Sequence, residues 1–126
     1  MTTNFAYDTE DIRTKDRDHY IHPWTDFSTF KEEGSDVIVE SEGAYIFNSD
    51  GDRFLDGIGG LWCVNAGYAR DEIARAIAEQ ARRMTYFSSF GHHTTPPAAE
   101  LAHRLAGLSP ANLNHVFYGT GGSMAN

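Results

Sequence analysis

The chain has 126 residues, 40% of them hydrophobic and 22% charged, the balance of an ordinary globular protein whose length suits one domain. A net charge of −8 with scattered Lys and Arg residues excludes a general affinity for nucleic acid, which needs a basic face. No stretch approaches the roughly 18 consecutive apolar residues of a membrane span. Met1 to Glu10 shows no charged-then-apolar leader pattern. The lone Cys63 excludes an internal disulfide framework, and a reducing cytoplasm is the expected compartment.

From Thr9 to about Tyr20 the chain is charged with few apolar residues, which predicts a surface helix or arm. An aromatic cluster follows at Tyr20, Ile21, His22, Pro23, Trp24, Phe27 and Phe30. Pro23 disfavours the α region for His22, so the path there is expected to be extended, and such an arm needs a larger body to pack against. Val37–Val39, Ala44–Phe47 and Arg53–Leu55 read as short strands. Glu42-Gly43 and the Asp50-Gly51 turn separate them, predicting a small antiparallel meander.

Ile73, Ala74, Ile77, Ala78, Ala81 and Met84 recur at spacings of three and four, predicting a helix over 71–84 with one apolar face. Acidic Asp71 and Glu72 at its start and basic Arg82 and Arg83 at its end suit the helix dipole. A second helix is expected from about Pro97, since proline fits the first helical position. Its face would use Leu101, Leu105 and Leu108, with Gly107 or Pro110 as the stop. Asn114 to Tyr118 reads as a strand running into Gly119-Thr-Gly-Gly-Ser-Met-Ala-Asn126. Strand, glycine turn and helix start are the opening of an α/β unit with a parallel sheet. Natural domains seldom end just inside a new helix, so a longer polypeptide is expected.

Helix N-termini present unpaired N–H groups and partial positive charge, so they bind phosphate. Gly121, Gly122 and Ser123 supply close backbone approach and one hydroxyl. A Walker A loop is excluded because Ser123 and Met124 stand where Lys and Ser or Thr are needed. The dinucleotide fingerprint fails because its third glycine position is Met124. His92 and His93 point in different directions and no H-E-x-x-H occurs, so no metal site is expected. Asn48, Asp50 and Asp52 alternate like the start of a calcium loop, but Arg53 replaces its glycine and Gly59 its bidentate glutamate.

Three segments resemble the class III aminotransferases of pyridoxal-phosphate (PLP) fold type I, especially the omega-transaminase branch. They are Asp50-Gly-Asp-Arg-Phe-Leu-Asp-Gly-Ile-Gly-Gly-Leu-Trp-Cys-Val-Asn-Ala-Gly-Tyr68, then Tyr86-Phe-Ser-Ser-Phe90 with Thr94, Thr95 and Pro96, then Phe117-Tyr-Gly-Thr-Gly-Gly-Ser-Met-Ala-Asn126. They occur in the family's order, and the resemblance runs from about His22. It implies that Gly121, Gly122 and Ser123 hold the PLP phosphate. Leu61 and Trp62 match a substrate wall, Trp24 an aromatic from the arm, and Phe90 a residue reaching the neighbouring subunit of a homodimer. Many relatives have serine in place of Gly121 and glutamate in place of Met124. The family's Schiff-base lysine lies far downstream, and Lys15 and Lys31, the lysines present, do not match it. This stretch therefore carries no catalytic residue and is expected to be inactive alone.

The expected fold is α/β, the N-terminal part of a PLP-dependent transferase of fold type I. It would comprise an arm (1–36), small-domain strands (37–68) and the start of the PLP-binding large domain (69–126). By resemblance the whole protein moves an amino group between an amine or amino acid and a keto acid or aldehyde. The alternatives are a non-catalytic module ending at Asn126, and a nucleotide-binding domain using the Gly119–Ser123 loop.

Overall fold

A computed structural model describes residues 7–126; the first six residues of the expected arm lie outside them. Helix α1 spans Thr9–His19, with Asp8 accepting the Asp11 amide at 3.0 Å to open it. Its acidic first turn and basic last turn suit the dipole, and Lys15 pairs with Asp11 one turn back. The chain leaves through extended Tyr20.

A second helix, α2 (Phe27–Glu33), was not anticipated within the aromatic cluster. Asp26 caps it, accepting from the Ser28 amide at 2.9 Å and from the Ser28 hydroxyl at 2.6 Å. Gly34 at φ 72° releases the chain at its other end. The aromatic residues meet locally. His22 lies edge-on to Tyr20 and tilted against Phe30, while its Nε2 is 3.0 Å from each carboxylate oxygen of Asp16.

Strands β1 (Ile38–Glu42), β2 (Tyr45–Asn48) and β3 (Arg53–Leu55) form an antiparallel sheet of order β1-β2-β3. The meander read from the sequence is therefore present, with Glu42 opposite Tyr45 across the Gly43-Ala44 turn. The second turn is organised by Asn48, the one buried side chain among the described residues. Its amide donates to Asp36 at 3.0 Å and Asp52 at 3.3 Å, and its oxygen accepts the Asp52 amide at 2.8 Å. Alternating polar residues at 48, 50 and 52 thus build a hairpin. Arg13 of α1 joins this turn by donating to Asp50 at 2.8 Å and to the Ser35 carbonyl at 3.1 Å.

Past the single turn α3 (Gly59–Trp62) come α4 (Asp71–Arg83) and α5 (Pro96–Leu108). Both longer helices lie within a residue or so of the positions their apolar spacing predicts. The described residues fall into two compact units that divide between Ala76 and Ile77, inside α4. The segment Asn114–Tyr118, read as a strand, forms no ladder among the described residues. Its β-rich sequence has no second strand to exchange hydrogen bonds with, and a strand exists only by pairing. The last element, α6, is the turn Gly122–Ala125.

Among the described residues no apolar side chain is buried. Ile73, Ile77, Leu101, Leu105 and Leu108, branched apolar residues of the two predicted helical faces, are all exposed. Hydrogen bonds and ion pairs hold the meander and arm, and no apolar core stands behind them. No helix among the described residues is long and apolar enough to cross a membrane.

Candidate functional site

Between β3 and α4 the backbone does something that L-amino acids avoid. Gly59, Gly60, Leu61 and Trp62 have φ of 56°, 59°, 63° and 64°, four consecutive residues in the left-handed region. For Leu61 and Trp62 this conformation costs about 1–2 kcal/mol each, because Cβ crowds the following carbonyl. Gly60 is required for a second reason: a Cβ there would lie 2.6 Å from the Val64 methyl and 3.0 Å from the Tyr68 hydroxyl.

What holds the turn is a half-buried carboxylate at its entrance. Asp56 Oδ2 accepts the Gly60 amide and the Tyr68 hydroxyl, both at 2.6 Å, and Oδ1 accepts the Ile58 amide at 3.2 Å. The exit is closed by Trp62 N–H donating to the Ile58 carbonyl at 2.8 Å, and by the Cys63 and Val64 amides donating to the Gly59 carbonyl at 3.0 Å. The Tyr68 hydroxyl, followed by the Gly60, Ile58 and Gly59 amides, holds the Asp56 carboxyl below the usual carboxylate range. Reciprocally, the hydrogen bond to Asp56 and partial burial push the Tyr68 phenol up. Tyr68 is itself pinned to the sheet, donating its amide to the Gly43 carbonyl at 2.8 Å and accepting the Gly43 amide at 3.3 Å. Sequence reasoning did not single out Asp56 or Tyr68 as a pair. They stand twelve residues apart, and only the bridge to Gly43 brings them together.

The residues expected to line a substrate wall are all exposed: Trp24 completely, Phe90 at 90%, Trp62 at 79% and Leu61 at 65%. Trp24 also has a left-handed backbone, at φ 61°. The structure brings Leu61 and Trp62 together on one strained turn. Neither Trp24 nor Trp62 has an aromatic partner among the described residues.

In the second unit, Gly121 is extended (φ 173°, ψ 172°) and leads into α6. Its carbonyl accepts the Met124 and Ala125 amides at 3.1 and 3.2 Å. The amides of Gly121, Gly122 and Ser123, and the Ser123 hydroxyl, have no partner among the described residues. A Cβ at Gly121 or Gly122 would meet nothing within 4 Å, so no contact in this chain demands glycine there; the space beside the amides is open. Unpartnered donors at a glycine turn, with no side chain crowding it, fit a phosphoryl group. Met124 folds back over the loop: its side chain lies 3.7 Å from a Cβ built on Gly119, and its sulfur accepts the Thr120 hydroxyl at 3.5 Å. Nearby, Phe87, Thr94, Thr95, Ala98, Phe117 and Tyr118 line an open cleft of about 380 Å³, to which Gly121–Ser123 do not contribute.

Comparison with known proteins gives these features a setting. The class-III aminotransferase family matches residues 30–126. The chain belongs to that family. It is similar to the putrescine–pyruvate aminotransferase of Pseudomonas aeruginosa, 40% identical over 118 residues, covering 94% of this chain and 26% of that protein. Among solved structures, a thermostable (S)-enantioselective omega-transaminase from Thermomicrobium roseum superposes with a TM-score of 0.83 at 39% identity, over 86% of this chain and 24% of that one. An omega transaminase from Pseudomonas jessenii, solved in complex with PMP, gives 0.86 at 27% identity over 90% and 25%. This class-III chain spans about a quarter of the length of these relatives. The expected α/β fold is borne out: the chain shares the fold of transaminases, with its antiparallel three-stranded sheet in place.

Proposed function

We propose that this chain supplies the phosphate loop and part of the substrate wall of a PLP-dependent transaminase, moving an amino group between an amine or amino acid and a keto acid or aldehyde. The observation that carries the reading is the set of unpartnered donors at Gly121, Gly122 and Ser123, in a chain of the class-III family. When bound, PLP is the electron sink for the carbanion that forms on the substrate. The chain's own part is to hold and to exclude. The three amides and the Ser123 hydroxyl grip the phosphate end. Leu61, Trp62 and Trp24 present large apolar surfaces that orient an amine's substituents and displace water from them. Phe90 extends toward the partner subunit's site in a homodimer.

No side chain of this stretch transfers the proton. Lys15 is committed to Asp11, and Lys31 sits in the last turn of α2. We assign residues 1–36 to the arm, 37–68 to the small-domain strands and 69–126 to the start of the cofactor domain of a cytoplasmic enzyme. The apolar faces of α4 and α5 are then covered by the rest of the full-length gene product.

The test is coenzyme uptake. The full-length product is expected to turn yellow with PLP in a saturable titration. Ser123→Ala removes one hydrogen bond to a charged group, worth about 1.5–3 kcal/mol, and should weaken uptake about ten- to a hundredfold. A full-length protein that stays colourless, with no saturable uptake, overturns the assignment.

A further inference from the structure

We infer that Asp56 and Tyr68 are positioning residues that set substrate-size selectivity, by locking the left-handed turn that carries Leu61 and Trp62. The inference rests on the reading of Trp62 as a wall of the amine site, and adds what governs where that wall stands.

Leu61 and Trp62 are mostly solvent-accessible, so side-chain packing within this unit does not fix them. Their direction follows from the backbone, and the backbone is in a region that neither residue favours. A strained conformation persists only where its surroundings over-determine it. Here one oxygen of Asp56 receives both the Gly60 amide, inside the turn, and the Tyr68 hydroxyl, outside it. Tyr68 is tied by both its backbone groups to Gly43, at the end of the β1–β2 hairpin. The left-handed turn is thereby referenced to the sheet through a single shared carboxylate oxygen. Close packing leaves little slack, since the Tyr68 hydroxyl lies 3.0 Å from where a Gly60 Cβ would be.

Removing the Tyr68 hydroxyl leaves the ring and the bridge to Gly43 intact. It frees Asp56 to rotate away from the Gly60 amide. The turn can then relax toward right-handed conformations, which swings Trp62 without deleting it. Large amine substituents should feel this displacement more than small ones, and in KM rather than kcat.

The test uses the full-length holoenzyme, native and Tyr68→Phe, labelled with 5-fluorotryptophan, with the Trp62 resonance assigned through Trp62→Phe. Fluorine NMR reads the position of Trp62. Steady-state kinetics with primary amines graded from methyl to aryl substituents, against a 2-keto acid, read selectivity. Tyr68→Phe is expected to load PLP normally and to shift or split the Trp62 resonance. It should change the ratio of kcat/KM between the largest and smallest amines by about fivefold or more, through KM. Asp56→Asn, run in parallel, should move both readouts the same way. A native Trp62 resonance in both variants overturns the lock, and an unchanged selectivity ratio overturns the role in specificity. Absence of any transamination by the native protein would sink the proposed function instead, while the fluorine spectra would still decide whether the pair holds the turn.

Discussion

Three glycines in one loop separate the two constraints argued for the turn at 57–62. Gly57 lies outside the left-handed region and has open space where a Cβ would go; Gly59 has φ 56° and open space; Gly60 has φ 59° and a Cβ position 2.6 Å from the Val64 methyl. Alanine at Gly57 should leave local stability unchanged or raise it by about 0.4–1 kcal/mol, because it restricts only the unfolded chain. At Gly59 it adds the left-handed penalty alone, ~1–2 kcal/mol. At Gly60 overpacking contributes about 1–3 kcal/mol more, for a total of ~2–5 kcal/mol. Hydrogen exchange at the Gly60, Trp62, Cys63 and Val64 amides of the full-length product reads the local opening equilibrium. At about 1.4 kcal/mol per tenfold, Gly59→Ala should exchange roughly 5–30 times faster than native and Gly60→Ala roughly thirty to several thousand times. If Gly60→Ala matches Gly59→Ala, the steric argument is wrong. If Gly57→Ala is as fast as Gly60→Ala, the left-handed turn is wrong.

Asn48→Ala removes three hydrogen bonds from a buried position and is expected to cost about 1–3 kcal/mol, read as faster exchange at the Asp52 amide. Acidity acts through the Asp56–Tyr68 contact with a definite sign. The Asp56 pKa is depressed on folding, so its contribution is present above the ordinary value of 3.8 and lost as pH falls through the lower folded value. The Tyr68 pKa is raised, so its contribution is complete below pH 10.0 and lost as pH rises through the higher folded value. In Tyr68→Phe the exchange rates at 60–64, corrected for intrinsic chemistry, should be flatter in both windows; a profile identical to native refutes the contact. Ala69 and Ala111 also sit at positive φ, 53° and 54°. Glycine at either should be neutral or stabilising by up to ~1 kcal/mol in thermal melts, the left-handed relief exceeding glycine's entropy cost.

Much of the architecture could be read directly from residue spacing. The 71–83 helix announces itself through Ile73, Ile77 and their neighbours, and the meander through alternating strands broken by Gly43 and Asp50-Gly51, because these are local patterns. Helix α2 was hidden by aromatic residues at 24, 27 and 30, whose weak helix propensity outweighs the single good signal, the Asp26 cap. Asn114–Tyr118 has a strand's composition but lacks a partner, and pairing is not a local property. The Gly121–Ser123 loop, proposed to hold a phosphate, was readable as a candidate because glycines and a serine follow a β-rich run in company with the Asp50–Tyr68 segment. The Asp56–Tyr68 contact was not visible, because nothing in either residue's neighbourhood announces the other; it exists only once Gly43 and Tyr68 bridge.

The turn at Leu61 and Trp62 also constrains how this protein can vary. Residues branched at Cβ are the worst occupants of a left-handed backbone, while glycine, asparagine and aspartate tolerate it. Randomising positions 61 and 62, the proposed wall of an amine site, would therefore fill a library with Val, Ile and Thr members that fail by misfolding rather than by poor chemistry. The usable alphabet there is narrow and skewed toward small polar residues and flexible unbranched ones. Evolution exploring the same two codons meets the same filter, and meets it again at Trp24 with its φ of 61°, so under the proposed function new specificity is more readily reached from Phe90, or by first relaxing the turn at 59–62.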